Sequence, residues 1–152
     1  MGLPFLALDA GAQESKKLKI MMKSAWGSDD PTRASFPFLH GLALADVGHE
    51  VRIFLTGEAT YLMRKATVDT IFPIGWPPLS ETRVKIVARG NPIFSCGACS
   101  QARGVAETDL KTREAKFGNP AIFVSLMLYS KIAKVFSCDI LHWLPLRSFR
   151  PI

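Results

Sequence analysis

The chain has 152 residues, 48% of them hydrophobic and 21% charged, with a formal net charge of +6. That length suits one domain with a single sizeable core, and the composition is that of a globular protein. The basic residues are spread from Lys16 to Arg150 with acids between them, so no block reads as a nucleic-acid-binding tail, and no run approaches the roughly 18 consecutive apolar residues of a membrane span.

Residues 1–16 have no clear period and are expected to form a loose leader or an oligomer contact. Ala10-Gly11-Ala12 imitates a secretory cleavage site, but the stretch lacks a basic start and carries Asp9 in its apolar part. A signal peptide is therefore not expected, and a cytoplasmic location is. Three cysteines, an odd number, argue against a secreted disulfide framework.

The run "KLKIMMKSA" (17–25), closed by "WGSDDP", reads as a buried first strand and its loop. Asp30 is placed to cap a helix that has Pro31 at its first position, where the missing N–H costs nothing. Phe38, Leu39, Leu42 and Ala45 form its apolar stripe, and Gly48 sits where a terminating glycine belongs. Pro37 inside this segment predicts a kink or a later start. His40 reads as a core or edge histidine of this helix, and His49 as a solvated turn residue.

"EVRIFLT" (50–56) is β-branched and aromatic, a second strand. "GEATYLMRKA" (57–66) reads as a short helix, and "VDTIFPIGWPPL" as a connection broken by Pro73, Pro77 and Pro78. "SETRVKIVARG" (80–90) is expected to be helical from Ser80, without a full capping box. "NPIFSC" (91–96) is a third strand, followed by a short helix in "GACSQARG" that Gly104 closes. "NPAIFVSLMLYS" (119–130) starts a helix at Pro120 and is apolar almost all round, so it is expected to be buried. "KIAKVFSC" (131–138) fits a last strand. Strands alternating with helices predict an α/β domain over 17–138 with a mostly parallel sheet and helices on both faces. Residues 139–152 form a C-terminal tail expected to pack along a neighbour or the chain's own surface.

The chemistry gathers in "IFSCGACSQARG" (93–104). Cys96 falls at the carboxyl end of a strand, the edge where open α/β sheets place their ligands. A thiolate at a helix start is favoured by the unpaired N–H groups, so the Cys96 pKa is expected to fall. Gly97 leaves the backbone free to turn and a substrate free to approach. Cys99 lies in the first turn, and Arg103, about two turns on, is a candidate source of positive charge. Several readings of the pair stay open: a sulfur carrier, a thiol–disulfide oxidoreductase, two inert cysteines in a non-enzymatic subunit, or a structural zinc site of Cys96, Cys99, Cys138 and His142. Asp29 and Asp30 read as loop and cap. No phosphate-binding glycine loop and no cofactor motif is present.

The stretches "LALADVGHEVRIFLTGEATYL" and "PPLSETRVKIVARGNPIFSCGACSQARGV" resemble the DsrE/DsrF/YchN-like family of small sulfur-relay proteins. In that family a Gly-x-x-Val strand is followed later by a strand ending in C-G-x-C-x-x-A-R-G. The resemblance runs from about Lys17 to Phe136. It implies a flavodoxin-like, three-layer fold, assembly as homotrimers or homohexamers, and a cysteine that carries sulfur as a persulfide between donor and acceptor proteins. The family's loop cysteine stands eight residues before the closing glycine, which here is Cys96. Cys99 matches a second cysteine found in part of the family. The family's acidic stretch before the last strand is replaced here by "YSKIAKVFSC", and "DILHWLPLRSFRPI" has no counterpart in it.

Overall fold

A computed structural model describes residues 17–130 and a short strand at Phe136–Ser137. Cys138, His142, the leader and the tail lie outside the described residues. In chain order the elements are β1 (Lys19–Ser24), α1 (Pro31–Asp46), β2 (Glu50–Leu55), a 3-10 helix (Gly57–Met63), α2 (Lys65–Val68), α3 (Leu79–Ala88), β3 (Ile93–Cys96), α4 (Gly97–Ala102), α5 (Glu107–Lys111), β4 (Ala115–Gly118), α6 (Pro120–Tyr129) and β5 (Phe136–Ser137). The five strands pair in parallel in the order β4-β3-β2-β1-β5.

That order decides the layers. The chain steps one strand at a time from β1 to β4, and a parallel step of this kind crosses over with a fixed hand. The return from β4 to β5 runs the other way, so α6 lies on the opposite face. The larger core gathers Ile20 and Met22 of β1, Val51, Ile53 and Leu55 of β2 and Ile93 of β3 against Phe38 of α1, Ile86 of α3 and Leu62 of the 3-10 helix. The smaller core holds Met21, Phe54 and Leu126, with Phe94, Cys96, Ile122 and Phe123 packed against it. The strand period of two thus sends neighbouring residues into different cores.

Local chemistry sets the element ends. Asp30 accepts a hydrogen bond from the Arg33 N–H at 2.9 Å and caps α1. At its far end the N–H of Gly48 donates to Ala45 O (3.0 Å) and that of His49 to Leu44 O (3.1 Å), with Gly48 at a φ of +91°. These are the two bonds of a Schellman stop, which requires the left-handed glycine. The helix begins at Pro31 and runs through Pro37, so the expected later start does not occur. Pro37 removes one ladder bond, but burial of Ala34, Pro37, Phe38 and Gly41 against the sheet keeps the helix continuous. α3 starts at Leu79, one residue earlier than expected, and Ser80 does not cap it.

Two further expectations are corrected, for residues 57–66 and for α6. Residues 57–66 are not one helix but a 3-10 helix followed by the single turn of α2. Between them in the chain, α5 and β4 complete the β3–β4 crossover in a stretch whose sequence pattern announces neither. α6 is not enclosed: only Leu126 is fully buried, because no described element covers its outer side.

β4 ends at a glycine for a steric reason. A Cβ on Gly118 would lie 2.5 Å from Cε2 of Phe54, whose ring packs edge-on against Phe123 at 5.1 Å. Gly118→Ala is expected to lower unfolding stability by about 1–3 kcal/mol, the usual cost of overpacking. Urea unfolding would measure it, and an unchanged midpoint would contradict this packing.

Candidate functional site

The site grows from β3. Ile93 and Ser95 face the larger core, so Phe94 and Cys96 face α6. Ser95 is fully buried, and its hydroxyl lies 2.9 Å from that of Ser100, tying the strand to the helix that follows it. Across the sheet Cys96 pairs with Gly118, so the thiol stands at the carboxyl edge, beside the start of α6.

Gly97 begins α4 without a left-handed φ, contrary to a need for unusual turning freedom; a Cβ there would meet only the Gly118 carbonyl oxygen at 3.4 Å. The left-handed glycine is Gly104, at a φ of +60°. Its N–H donates to Gln101 O (3.1 Å) and that of Val105 to Ser100 O (2.9 Å), a second Schellman stop. Arg64 donates to the Gly104 carbonyl, fastening this turn to the end of the 3-10 helix.

Cys96 and Cys99 are both free thiols and both partly exposed. The expected fall in the Cys96 pKa does not occur. Burial pushes the thiol up and the Cys99 thiol beside it adds to the rise, while the backbone N–H groups of Cys99 and Ala98, which donate to the sulfur, offset only part of this. The six-residue α4 offers few N–H groups, and Cys96 packs against the smaller apolar core of Met21, Phe54 and Leu126, which withholds part of the water a thiolate needs.

Arg103 does not point its charge freely at the thiols either. Its Nε (3.1 Å) and Nη2 (2.5 Å) donate to Oε1 of Glu58, and its Nη1 donates to the Cys99 carbonyl at 3.2 Å. Glu58, an exposed residue of the 3-10 helix, holds the Arg103 pKa up. The pair acts mainly as a strut from the 3-10 helix to the CxxC turn. Glu58 was not singled out from the sequence, where it lies 45 positions from Arg103 and no local pattern joins them.

The other candidates fall elsewhere. His40 is exposed and stacks on Phe36 with ring centroids 5.0 Å apart. His49 is half-buried rather than solvated, and its Nδ1 accepts from the Leu18 N–H at 3.4 Å. Asp29 accepts from the Gly27 N–H at 3.0 Å and shapes the loop after β1. No group of three or more His, Cys, Asp or Glu side chains able to hold a metal ion occurs among the described residues. Cys138 and His142, the other half of the zinc reading, are outside them.

A cleft of about 720 Å³ lies at the opposite, amino-terminal edge of the strands and does not touch the cysteines. Its charges are engaged with one another: Lys17 pairs with Glu50 at 3.2 Å and Arg89 with Asp46 at 2.5 Å, while the Arg52 guanidinium lies 3.7 Å from the centroid of the Tyr129 ring. It is a clasp between the end of α6 and the start of β2, and Tyr129 donates to Glu50 within it.

The comparison with family models assigns residues 16–136, most of the chain, to one family: the DsrE/DsrF-like family. The chain belongs to it. The family is associated with sulfur relay. Among solved structures, the chain is similar to the ychN protein from E. coli, with a TM-score of 0.64 and 16% identity over 79% of this chain and 98% of that one. It is also similar to a conserved protein of unknown function, BT1422 from Bacteroides thetaiotaomicron, with a TM-score of 0.56 and 15% identity over 78% and 94%. At such identities these two likenesses speak for the fold. No curated protein matches the chain. Among the described residues no helix is long and apolar enough to cross a membrane.

The raised Cys96 pKa has a measurable consequence. A pKa above the ordinary thiol value leaves less thiolate at neutral pH, so alkylation of Cys96 should keep accelerating above the pH at which a free cysteine levels off. Cys99→Ala removes the side-chain contributions that raise it and keeps the backbone N–H. The alkylation profile of Cys96, followed by mass spectrometry, should then move to lower pH. A profile that stays or moves up would contradict this account of the pair.

Proposed function

We propose that this DsrE/DsrF-like protein is a sulfur carrier, a sulfurtransferase-like subunit that accepts sulfane sulfur on Cys96 and hands it to an acceptor protein. The observation that carries the reading is a partly exposed thiol at the carboxyl edge of a parallel sheet, with two backbone N–H groups on its sulfur and a second thiol one turn away. The Cys96 thiolate attacks the outer sulfur of a donor persulfide. The S–S bond of the donor breaks, its cysteine leaves as a thiolate, and Cys96 becomes a persulfide. Release follows one of two balanced routes. An acceptor thiolate takes the outer sulfur directly, or Cys99 attacks the Cys96 Sγ, forming the Cys96–Cys99 disulfide while the sulfane sulfur leaves reduced as hydrosulfide. The partial burial of Cys96 suits a carrier, since a persulfide shielded from water survives between partners.

The domain that does this is taken as residues 17–138, with the family's mode of assembly as a homotrimer or homohexamer and a cytoplasmic setting that keeps the thiols reduced. Gly97 and Arg103 support the loop rather than react. No resident cofactor is required by this chemistry.

One experiment tests the reading. The reduced protein is exposed to a sulfane-sulfur donor and weighed intact beside Cys96→Ser and Cys99→Ser. A gain of one or more sulfur atoms that vanishes in Cys96→Ser and persists in Cys99→Ser is the expected result. Loading that survives Cys96→Ser and disappears with Cys99→Ser would exchange the roles of the two residues. No loading of folded protein would favour the alternative, a non-enzymatic subunit whose cysteines are inert, a reading that the raised Cys96 pKa supports.

A further inference from the structure

Two arginines away from the cysteines stand in a setting that guanidinium groups rarely occupy. Arg83 of α3 is only 7% exposed, and Arg113, in the turn between α5 and β4, is half-buried. The Arg83 Nη1 donates to the Arg113 carbonyl at 3.0 Å, which brings the two residues together. The turn that presents this carbonyl is strained. Glu114 holds a φ of +53°, and it is the one non-glycine residue with a positive φ among the described residues. The Nε of Arg83 and the Nε of Arg113 are both buried without a hydrogen-bond partner. A buried donor left unpaired forfeits its hydration, and a charged one forfeits more.

No carboxylate relieves the pair. Asp69 is taken by Lys65, and Glu114 is exposed and makes no ion pair among the described residues. Burial and the charge of Arg113 hold the Arg83 pKa below its ordinary value, and the charges of Glu114 and Asp69 offset only part of this. An arginine nonetheless keeps its proton in a protein, so two positive charges remain side by side and partly out of water. With the Arg83 Nη1 engaged, its Nε and Nη2 form the fork left over, the edge that matches two oxygens of one oxyanion.

We propose that Arg83 and Arg113 form a binding site for a tetrahedral oxyanion of two negative charges, a phosphate or sulfate group, whose oxygens accept from the unpartnered Nε groups. The two guanidinium charges match that dianion, and the forks fix its orientation where a lysine would supply only a point charge. The low exposure of Arg83 admits one small group and no broad ligand face. Neither Cys96 nor Cys99 takes part, so occupancy of this site and sulfur loading are separate events.

The test is selective stabilisation of the full chain. Thermal unfolding is followed by circular dichroism in millimolar phosphate, sulfate or chloride at equal ionic strength and mildly alkaline pH, where phosphate is doubly charged. At such concentrations the general effect of excluded salts on burial is small. Phosphate and sulfate should raise the midpoint by a few degrees over chloride, by mass action on the folded state. Arg113→Gln should lose this difference. Arg113→Lys, which keeps the charge but not the fork, should weaken the apparent affinity about tenfold or more. Arg83→Met should also lose it, whereas Lys116→Gln, which removes a charge from the α6 face of β4, should keep it. Glycerol phosphate separates the sources of the group: a shift equal to that of phosphate assigns a phosphoryl group carried on an organic molecule, and a shift with the inorganic anions alone assigns the free ion. Equal midpoints in all three salts for the wild type, or a phosphate shift that survives Arg113→Gln, would overturn the proposal. Arg113 is only half-buried, so its variants decide the matter even if Arg83→Met fails to fold.

Discussion

The alternation of side chains along four residues, Ile93 to Cys96, is the constraint on which the site depends. Ile93 and Ser95 are committed to the larger core, so Phe94 and Cys96 have no choice but the α6 face. A slip of one residue would bury the thiol among the side chains of Phe38 and Ile86 and turn Ser95 outward. The Ser95–Ser100 hydrogen bond prevents this twice over: it satisfies two hydroxyls that lie out of water, and it fixes the angle at which α4 leaves the strand.

Around this strand the protein uses backbone geometry where a more exposed thiol site would use charge. The guanidinium of Arg103 is engaged by Glu58 and the Cys99 carbonyl, and partial burial against the smaller core raises the cost of ionising Cys96. Two N–H groups remain as the favourable contribution. A thiol so placed is held back in the resting state, and its reactivity is governed by what approaches it as much as by its own ionisation.

Much of this arrangement was legible in the sequence. β1, β2 and β3 announce themselves by compact apolar and β-branched runs, and Asp30, Pro31, Gly48 and Gly104 mark helix ends by local rules that act within a few residues. The C-G-x-C-x-x-A-R-G stretch carried the family resemblance, which the family model bears out. What escaped depends on contacts distant in sequence. β4 has four residues and too short a period to register, and it exists because β3 offers it a partner. The exposure of α6 follows from strand order, which returns the chain to β5 on a face where no other described helix lies. The partnership of Glu58 with Arg103 and the clash that reserves position 118 for glycine are properties of the folded surface. The direction of the Cys96 pKa was misjudged because the helix start is visible in sequence and the burial is not.

One edge of the sheet bears on how copies of this chain can meet. β4 is an outer strand, and an outer strand ordinarily offers its backbone to any extended chain that comes alongside. Here the invitation is brief: four residues, one of them Lys116 held out to solvent, followed at once by Asn119 and by Pro120, which has no N–H to give. Sheet extension from one molecule into another finds almost no ladder to climb on this side. Contact across this edge is thereby left to side chains and steered away from strand addition, which has no natural end.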